Sequence, residues 1–376
     1  MGNQSSQEHN GRTITMQDVA RAAGVSVSTV SRVLDERLPP SRSPSAEKIR
    51  EAAKQLGYRR DYVASSLRRG DTGTIGVLVP RLTDTVTAMF YEAVSQAAAR
   101  QGYFTVVATC GNDPDTEERA TQSLLDRRVD GLILSTCRLD DRLPQQLREK
   151  QINHVLALRT DGISPSAIGD DELGGYLATR HLLDLGHREI GIIAGPNFSS
   201  STLNRQKGFL RAMQEAQAEV NPQWWRDSDF TIVAGENAGY EILNSPARPS
   251  AIFAVNDDLA IGVMAAAHRL GLEIGRDVSL VGYNDIPLVS RLPIPLTSVK
   301  TPLDQLASHA VELLLGHHVE TPTLLFTHPD SARFHAALSL SGARSRPKAC
   351  QGRERIQYGS SKCQQILFPA RQGEIL

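Results

Sequence analysis

Five residues near the start of the chain have the types and spacing to touch nucleic acid. Val27, Ser28, Thr29, Ser31 and Arg32 are short and polar apart from the apolar Val27 and one long cation. On a helix, such a face suits the floor of a major groove, where short side chains admit the backbone and a guanidinium can grip a guanine. The stretch from Ile14 to Leu34 has the means to hold it there. Thr15 and Asp18 form the ends of a capping box for a first helix, and Gly24 stands where a tight turn needs a left-handed residue. Ser26 then caps a second helix whose inner side is Val30, Val33 and Leu34. Small Ala20, Gly24 and Val30, at offsets of 0, +4 and +10, meet the packing needs of a helix-turn-helix. A plain helical hairpin with a soluble face is the alternative, but caps, turn and face all agree on the first reading.

Charge is distributed accordingly. The net charge of −1 conceals a head of +5 over residues 1–70, a body of −11 over 71–340 and a tail of +5 over 341–376. A basic head on an acidic body favours polyanion contact at one end. The length of 376 residues predicts two or three domains. No run approaches the roughly 18 apolar residues of a membrane span, and no signal-peptide hydrophobic region is seen, so a cytoplasmic location is expected. Met1-Gly2-Asn3-Gln4-Ser5-Ser6 fits a myristoylation pattern but has no polybasic neighbour, and we read it as chance. Cys110, Cys137, Cys350 and Cys363 lack metal-ligand spacing and fit a reducing compartment. No cofactor or metal is implied.

Residues 1–12 are polar and predicted disordered, and 13–60 form the helix-turn-helix domain. Within it, Ser43 and Pro44 start a third helix with Ile49, Ala52, Ala53 and Leu56 on its apolar side, stopped by Gly57. Residues 61–72 read as a linker in which Asp61 caps a one- to two-turn helix, too short to be stable alone. From Thr74 the pattern becomes buried strands alternating with helices. Strands are expected at 74–80, 104–109, 131–135, 154–158, 189–194, 230–233, 251–255 and 279–283. Helices are expected at 88–101, 117–127, 173–185, 204–216, 259–270 and 303–315. Continuous apolar strands imply parallel sheets covered on both faces, and there is enough for two such units. Ligands bind such sheets beyond the strands' carboxyl ends, where Asn256 and Asp257 lie. The lobes are set at about 73–168 plus 298–340 and about 169–297, with a disordered tail at 341–376. Trp224 and Trp225 read as caps on a hydrophobic edge, and His181 and His187 as structural. No Gly-x-Ser-x-Gly elbow, phosphate loop or dinucleotide fingerprint is present, which argues against an enzyme.

With the order of parts established, the motifs Asp18-Val19-Ala20, Gly24-Val25-Ser26-Val27-Ser28-Thr29-Val30-Ser31-Arg32-Val33-Leu34, Leu56-Gly57-Tyr58, Arg127-Arg128-Val129-Asp130-Gly131, His181-Leu182-Leu183-Asp184-Leu185-Gly186-His187, Val255-Asn256-Asp257 and Val281-Gly282-Tyr283-Asn284-Asp285 are telling. The chain resembles the LacI/GalR family of bacterial transcriptional repressors from about Thr13 to Leu340. The resemblance implies an all-α helix-turn-helix domain followed by an α/β body like the periplasmic binding proteins, with two Rossmann-like subdomains. It implies a homodimer on a near-palindromic operator, controlled by a sugar-like effector held between the lobes. By matched position, Val27, Ser28 and Arg32 would read bases, while Thr15, Ser26, Thr29 and Ser31 would hold phosphates. Leu67 would wedge into the minor groove with Ala64 as its small neighbour. Asp84, Phe90, Arg205, Phe230, Asn256, Asp257 and Asn284 would contact effector. The chain departs from the family at Arg60 and Asp61, at Asp84-Thr85-Val86-Thr87, and at Asn284 where an aspartate is usual. A solute-binding protein of a transport system is the alternative, since it shares such a body, but it has no use for a DNA-reading head.

Overall fold

The computed structural model describes residues 14–35, 39–58 and 72–316. The expected wedge, Leu67 with Ala64, and both tails lie outside the described residues. The head is three helices: α1 (Met16–Ala23), α2 (Val27–Val33) and α3 (Pro44–Gln55). Their ends follow from local chemistry. The Thr15 N–H donates to Asp18 Oδ2 at 2.9 Å, and Gly24 turns the chain at φ +71°. Ser26 Oγ accepts from the Thr29 N–H at 3.2 Å, and Ser43 Oγ from the Ala46 N–H at 3.2 Å. Val19, Val30 and Ile49 are fully buried where the helices meet, and alanines at 20, 23, 52 and 53 keep the helices close.

The body begins with β1 (Thr74–Val79), α4 (Thr85–Arg100), β2 (Phe104–Thr109), α5 (Pro114–Asp126), β3 (Gly131–Leu134), α6 (Leu143–Glu149), β4 (His154–Ala157) and β5 (Ser166–Ala167). It continues with α7 (Asp171–Asp184), β6 (Ile190–Ala194), α8 (Ser200–Glu215), β7 (Trp225–Asp227), α9 (Ile232–Leu243), β8 (Ala251–Ala254), α10 (Asp257–Arg269), β9 (Ser279–Asn284), β10 (Thr297–Lys300) and α11 (Leu303–Leu314). The strands form two five-stranded parallel sheets, ordered β2-β1-β3-β4-β5 and β10-β9-β8-β6-β7. Counted within its own lobe, each sheet has the order 2-1-3-4-5. The strand order therefore reverses between β1 and β3 in one lobe and between β6 and β8 in the other, the places where open sheets bind ligands.

The second lobe's core is centred on Ile192, Phe209, Phe253 and Val263, all buried. The first lobe has a layer on each face of its sheet, and one includes Leu303, Leu306 and Val311 of α11 packed with Ile75, Phe90 and Val94. The chain thus crosses between lobes before α7 and again between β10 and α11.

Four helices start two or three residues before the apolar runs that signal them, because Asp84, Asp113, Asp170 and Asn256 each accept the N–H three residues on. One expected strand is corrected. Residues 230–233 are not a strand: Thr231 caps Ala234 at 3.1 Å and α9 begins at Ile232. The strand at that sheet edge is β7, three residues long and paired with β6 alone. An edge strand so short leaves no apolar run to read, whereas the β-branched Thr-Ile-Val has strand propensity that the cap overrides. Trp225 stands in that edge strand, and Trp224 is buried with its indole N–H on the Ala247 carbonyl at 2.6 Å. His187 bridges the Ser250 and Ser279 hydroxyls, each at 2.9 Å, as a structural histidine.

Candidate functional site

On α2, Ser28 and Arg32 are exposed, whereas Thr29 and Ser31 are half-buried. Val27, expected on the exposed side, is half-buried and packs on the head's core, since it stands one turn before Val30 on the same side. The hydroxyls at the start of α2 hold one another. Ser26 Oγ lies 2.8 Å from both Ser28 Oγ and Thr29 Oγ1. The result is a low, hydroxyl-rich surface from which Arg32 alone of the five projects a charge, with the exposed Thr15 at the start of α1.

In the body, the carboxyl ends of both sheets face one cavity of about 710 Å³, its open mouth included. The first lobe contributes Asp84 after β1, Ser135 after β3 and Arg159 after β4. The second contributes Arg205 after β6, Asn256 after β8 and Asn284 at the end of β9. Phe230 lines the same cavity. The lobes also touch directly: the Thr160 N–H donates to Ser200 Oγ and the Leu139 N–H to the Phe198 carbonyl, each at 2.9 Å.

Arg205 is fixed within its own lobe. Its Nε donates to Asp171 Oδ1 at 2.8 Å, its Nη1 to the Val255 carbonyl at 2.6 Å, and its guanidinium sits 3.7 Å over the Tyr283 ring. Burial is the largest influence and opposes its charge, but Asp171 and Tyr283 together hold the guanidinium above its ordinary pKa. Close packing of α7 on α8 sets this pair. A Cβ on Gly175 would collide with the Arg205 carbonyl, and one on Gly208 with the Glu172 carbonyl.

The remaining polar groups are oriented by the backbone. Asp84 Oδ1 caps α4 through the Thr87 N–H at 2.9 Å, and Asn256 Oδ1 caps α10 through the Leu259 N–H at 2.7 Å. Asn284, at φ +104°, donates from Nδ2 to Thr301 Oγ1 at 3.0 Å. Two expected effector contacts are corrected. Phe90 is fully buried in the first lobe's core, because it lies on the sheet-facing side of α4, and the cavity wall there is Val86 and Thr87. Asp257 is 1% exposed and points away from the cavity. Its carboxylate accepts from the Ile286 N–H at 2.8 Å and the Ser298 hydroxyl at 2.6 Å, and burial pushes its pKa up to about 7.

The described parts match known proteins along most of their length. Residues 15–61 match the family model described as bacterial regulatory proteins, lacI family, and residues 179–324 match a periplasmic binding protein-like domain. The HTH-type transcriptional repressor PurR of Vibrio cholerae is 34% identical over 304 residues, covering 80% of this chain and 90% of its own. The ribose operon repressor of Escherichia coli is 33% identical, covering 82% and 94%. The chain belongs to the lacI family of bacterial regulatory proteins. Among solved structures, a Lac repressor bound to ONPG in the repressed state superimposes with a TM-score of 0.73 at 29% identity, covering 84% of this chain and 97% of that one. A Lac repressor dimer bound to operator and an anti-inducer gives 0.71 at 30% identity, covering 81% and 92%. This lacI-family protein is a DNA-binding regulator with an effector-binding body. Among its described residues, no helix is long and apolar enough to cross a membrane.

Three groups in this family member's cleft escape sequence reasoning: Asp171, Tyr283 and Arg159. Asp170-Asp171-Glu172 reads as helix-opening acids, and Asp170 does cap α7, but the partner of Asp171 is known only from the fold. Tyr283 and Arg159 sit at strand ends, the one signal that could have found them.

Proposed function

We propose that this protein is a repressor that binds a near-palindromic operator as a homodimer and releases or grips it according to a small effector, sugar-like in its hydroxyls, held between the lobes. The observation that carries this reading is one chain joining a helix-turn-helix head to a cleft at the strand-reversal points of two facing sheets. Arg32 is assigned to a guanine, Val27 and Ser28 to neighbouring base edges, and Thr15, Ser26, Thr29 and Ser31 to phosphates. Arg205, Asp84, Phe230, Asn256 and Asn284 are assigned to the effector, with Phe90 and Asp257 supporting the walls from behind. Effector and operator affinities are then coupled reciprocally, because both depend on the relative placement of the lobes. Transport leaves the head without a purpose.

Selection of bound duplexes from a random pool tests the reading. An inverted repeat is expected. Arg32→Ala should relax preference at one symmetric position per half-site, a loss of about 1–3 kcal/mol of discrimination. A pool without symmetry, or an unchanged consensus for the variant, removes the assignment.

A further inference from the structure

The cleft holds two buried arginines, and among the described residues only one of them is in contact with a carboxylate. Arg205 is matched by Asp171 at 2.8 Å. Arg159 is 8% exposed and lines the cavity, yet among the described residues no carboxylate comes within 4.0 Å of it. Its one hydrogen bond among the described residues is long, 3.4 Å from Nη1 to the Thr136 carbonyl, and its guanidinium carbon lies 5.7 Å from both the Phe198 and the Phe230 ring centres. The residue before it, Leu158, is held at φ +64°, a left-handed conformation unusual for leucine. Burial lowers the pKa of Arg159 to about 10 against the pull of the Asp84 and Glu117 carboxylates, which stand beyond ion-pair reach, and it stays charged at neutral pH. A buried cation with no anion in direct contact is unfavourable unless something else supplies that contact.

We infer that the cleft's ligand is a small polyhydroxylated carboxylic acid, its carboxylate seated on Arg159 and its hydroxyls on Asp84, Asn256 and Asn284. This rests on reading the cleft as the effector site. The placement of charges around the cavity, not their sum, points to such a ligand. The Asp171–Arg205 pair is closed at 2.8 Å, whereas Arg159 and Asp84 line the first lobe's wall and act on each other only from beyond ion-pair distance. A neutral sugar satisfies the carboxylate of Asp84 and leaves the cation bare. A simple fatty acid does the reverse, and wastes the two asparagines. A hydroxy acid serves both ends at once. A guanidinium accepts a carboxylate on two parallel N–H groups, whereas a phosphate dianion would be left half-neutralised by a single arginine.

Calorimetry on the full-length protein at fixed ionic strength tests this. The probes are D-gluconate, D-glucuronate and D-galacturonate, with D-glucose, D-galactose, D-glucitol and D-glucose 6-phosphate as counterparts. At least one acid should bind tenfold or more tightly than its neutral counterpart and than the phosphate. Arg159→Gln should abolish that preference. The ligand-free variant should melt at or above the wild-type temperature, since an unpaired buried charge has been removed; a structural arginine would give a lower one. A neutral sugar or phosphate binding as tightly as the acid, no binding by any acid, or an unchanged acid preference in Arg159→Gln overturns the inference. Operator affinity is measured in the same samples. An acid that binds without moving DNA affinity refutes the regulatory reading and keeps the acid. A neutral sugar that moves it refutes the acid and keeps the regulatory reading.

Discussion

The two lobes repeat one strand order and place comparable loops around one cavity, yet they treat charge in opposite ways. The second lobe neutralises its arginine internally: Arg205 lies against Asp171, the Val255 carbonyl and the Tyr283 ring, and Asn284 is tied to Thr301. The first lobe leaves Arg159 and Asp84 without ion-pair partners among the described residues. A shared topology therefore fixes where a ligand goes, while the local pairing of charges decides which lobe is a rigid wall and which selects the ligand. The largest effect that could break this contrast is Asp171→Ala. Removing one partner strands a buried guanidinium, and a loss of about 3–5 kcal/mol in urea unfolding is expected. Arg159→Gln breaks no ion pair among the described residues and should lose none of it. Equal midpoints for Asp171→Ala and wild type would show that the second lobe's arginine is no more anchored than the first's.

Each lobe also buries an acid behind its strand ends, and pH separates them. Asp257 is pushed up to about 7 by burial, against an ordinary value of 3.8. Between those limits the folded chain keeps a proton that the unfolded chain has released. Its contribution therefore makes stability highest near pH 4 and lets it fall until about pH 7, by up to roughly 1.4 kcal/mol per pH unit. Asp257→Asn should flatten that part of the slope in denaturation series at pH 5, 6, 7 and 8. In the first lobe, Glu117 is 3% exposed, accepts a hydrogen bond from the Thr136 hydroxyl, and is raised above the usual carboxylate range by burial with help from Asp141. Its share of the slope should survive in Asp257→Asn. Superimposable profiles for variant and wild type would discard the role given to Asp257.

What could be read beforehand follows the range of each interaction. Caps act over three residues, so Thr15, Ser26, Ser43 and the left-handed Gly24 were legible, and with them the whole head. Long apolar strands such as β1 and β6 announce themselves, because a strand buried on both faces must be apolar throughout. The three-residue β7 carries no such signal, and the Thr231 cap turned a strand-like run into the start of α9. Site residues divide in the same way. Asn256 and Asp257 are neighbours just past one strand, but helix geometry sends the first into the cavity and the second into the lobe. Phe90 was assigned by matched position, yet its exposure is decided by which side of α4 faces the sheet. Arg159 depended on what stands near it in space, and no spacing within the sequence encodes the lack of an ion-pair partner for it among the described residues.

The smallest stability effect gives the finest resolution between the lobes. Asp84 both caps α4 and offers its second oxygen to the cavity. Asparagine caps a helix about as well as aspartate, so Asp84→Asn should change unfolding free energy by no more than about 0.5 kcal/mol. The charge of that second oxygen is lost all the same, and with it a strong acceptor for a ligand hydroxyl. A fall in affinity for the hydroxylated acid at unchanged stability would place selection on the first lobe's rim. If affinity holds while stability drops, Asp84 is a cap and nothing more, and the hydroxyls must be held by Asn256 and Asn284 on the opposite wall.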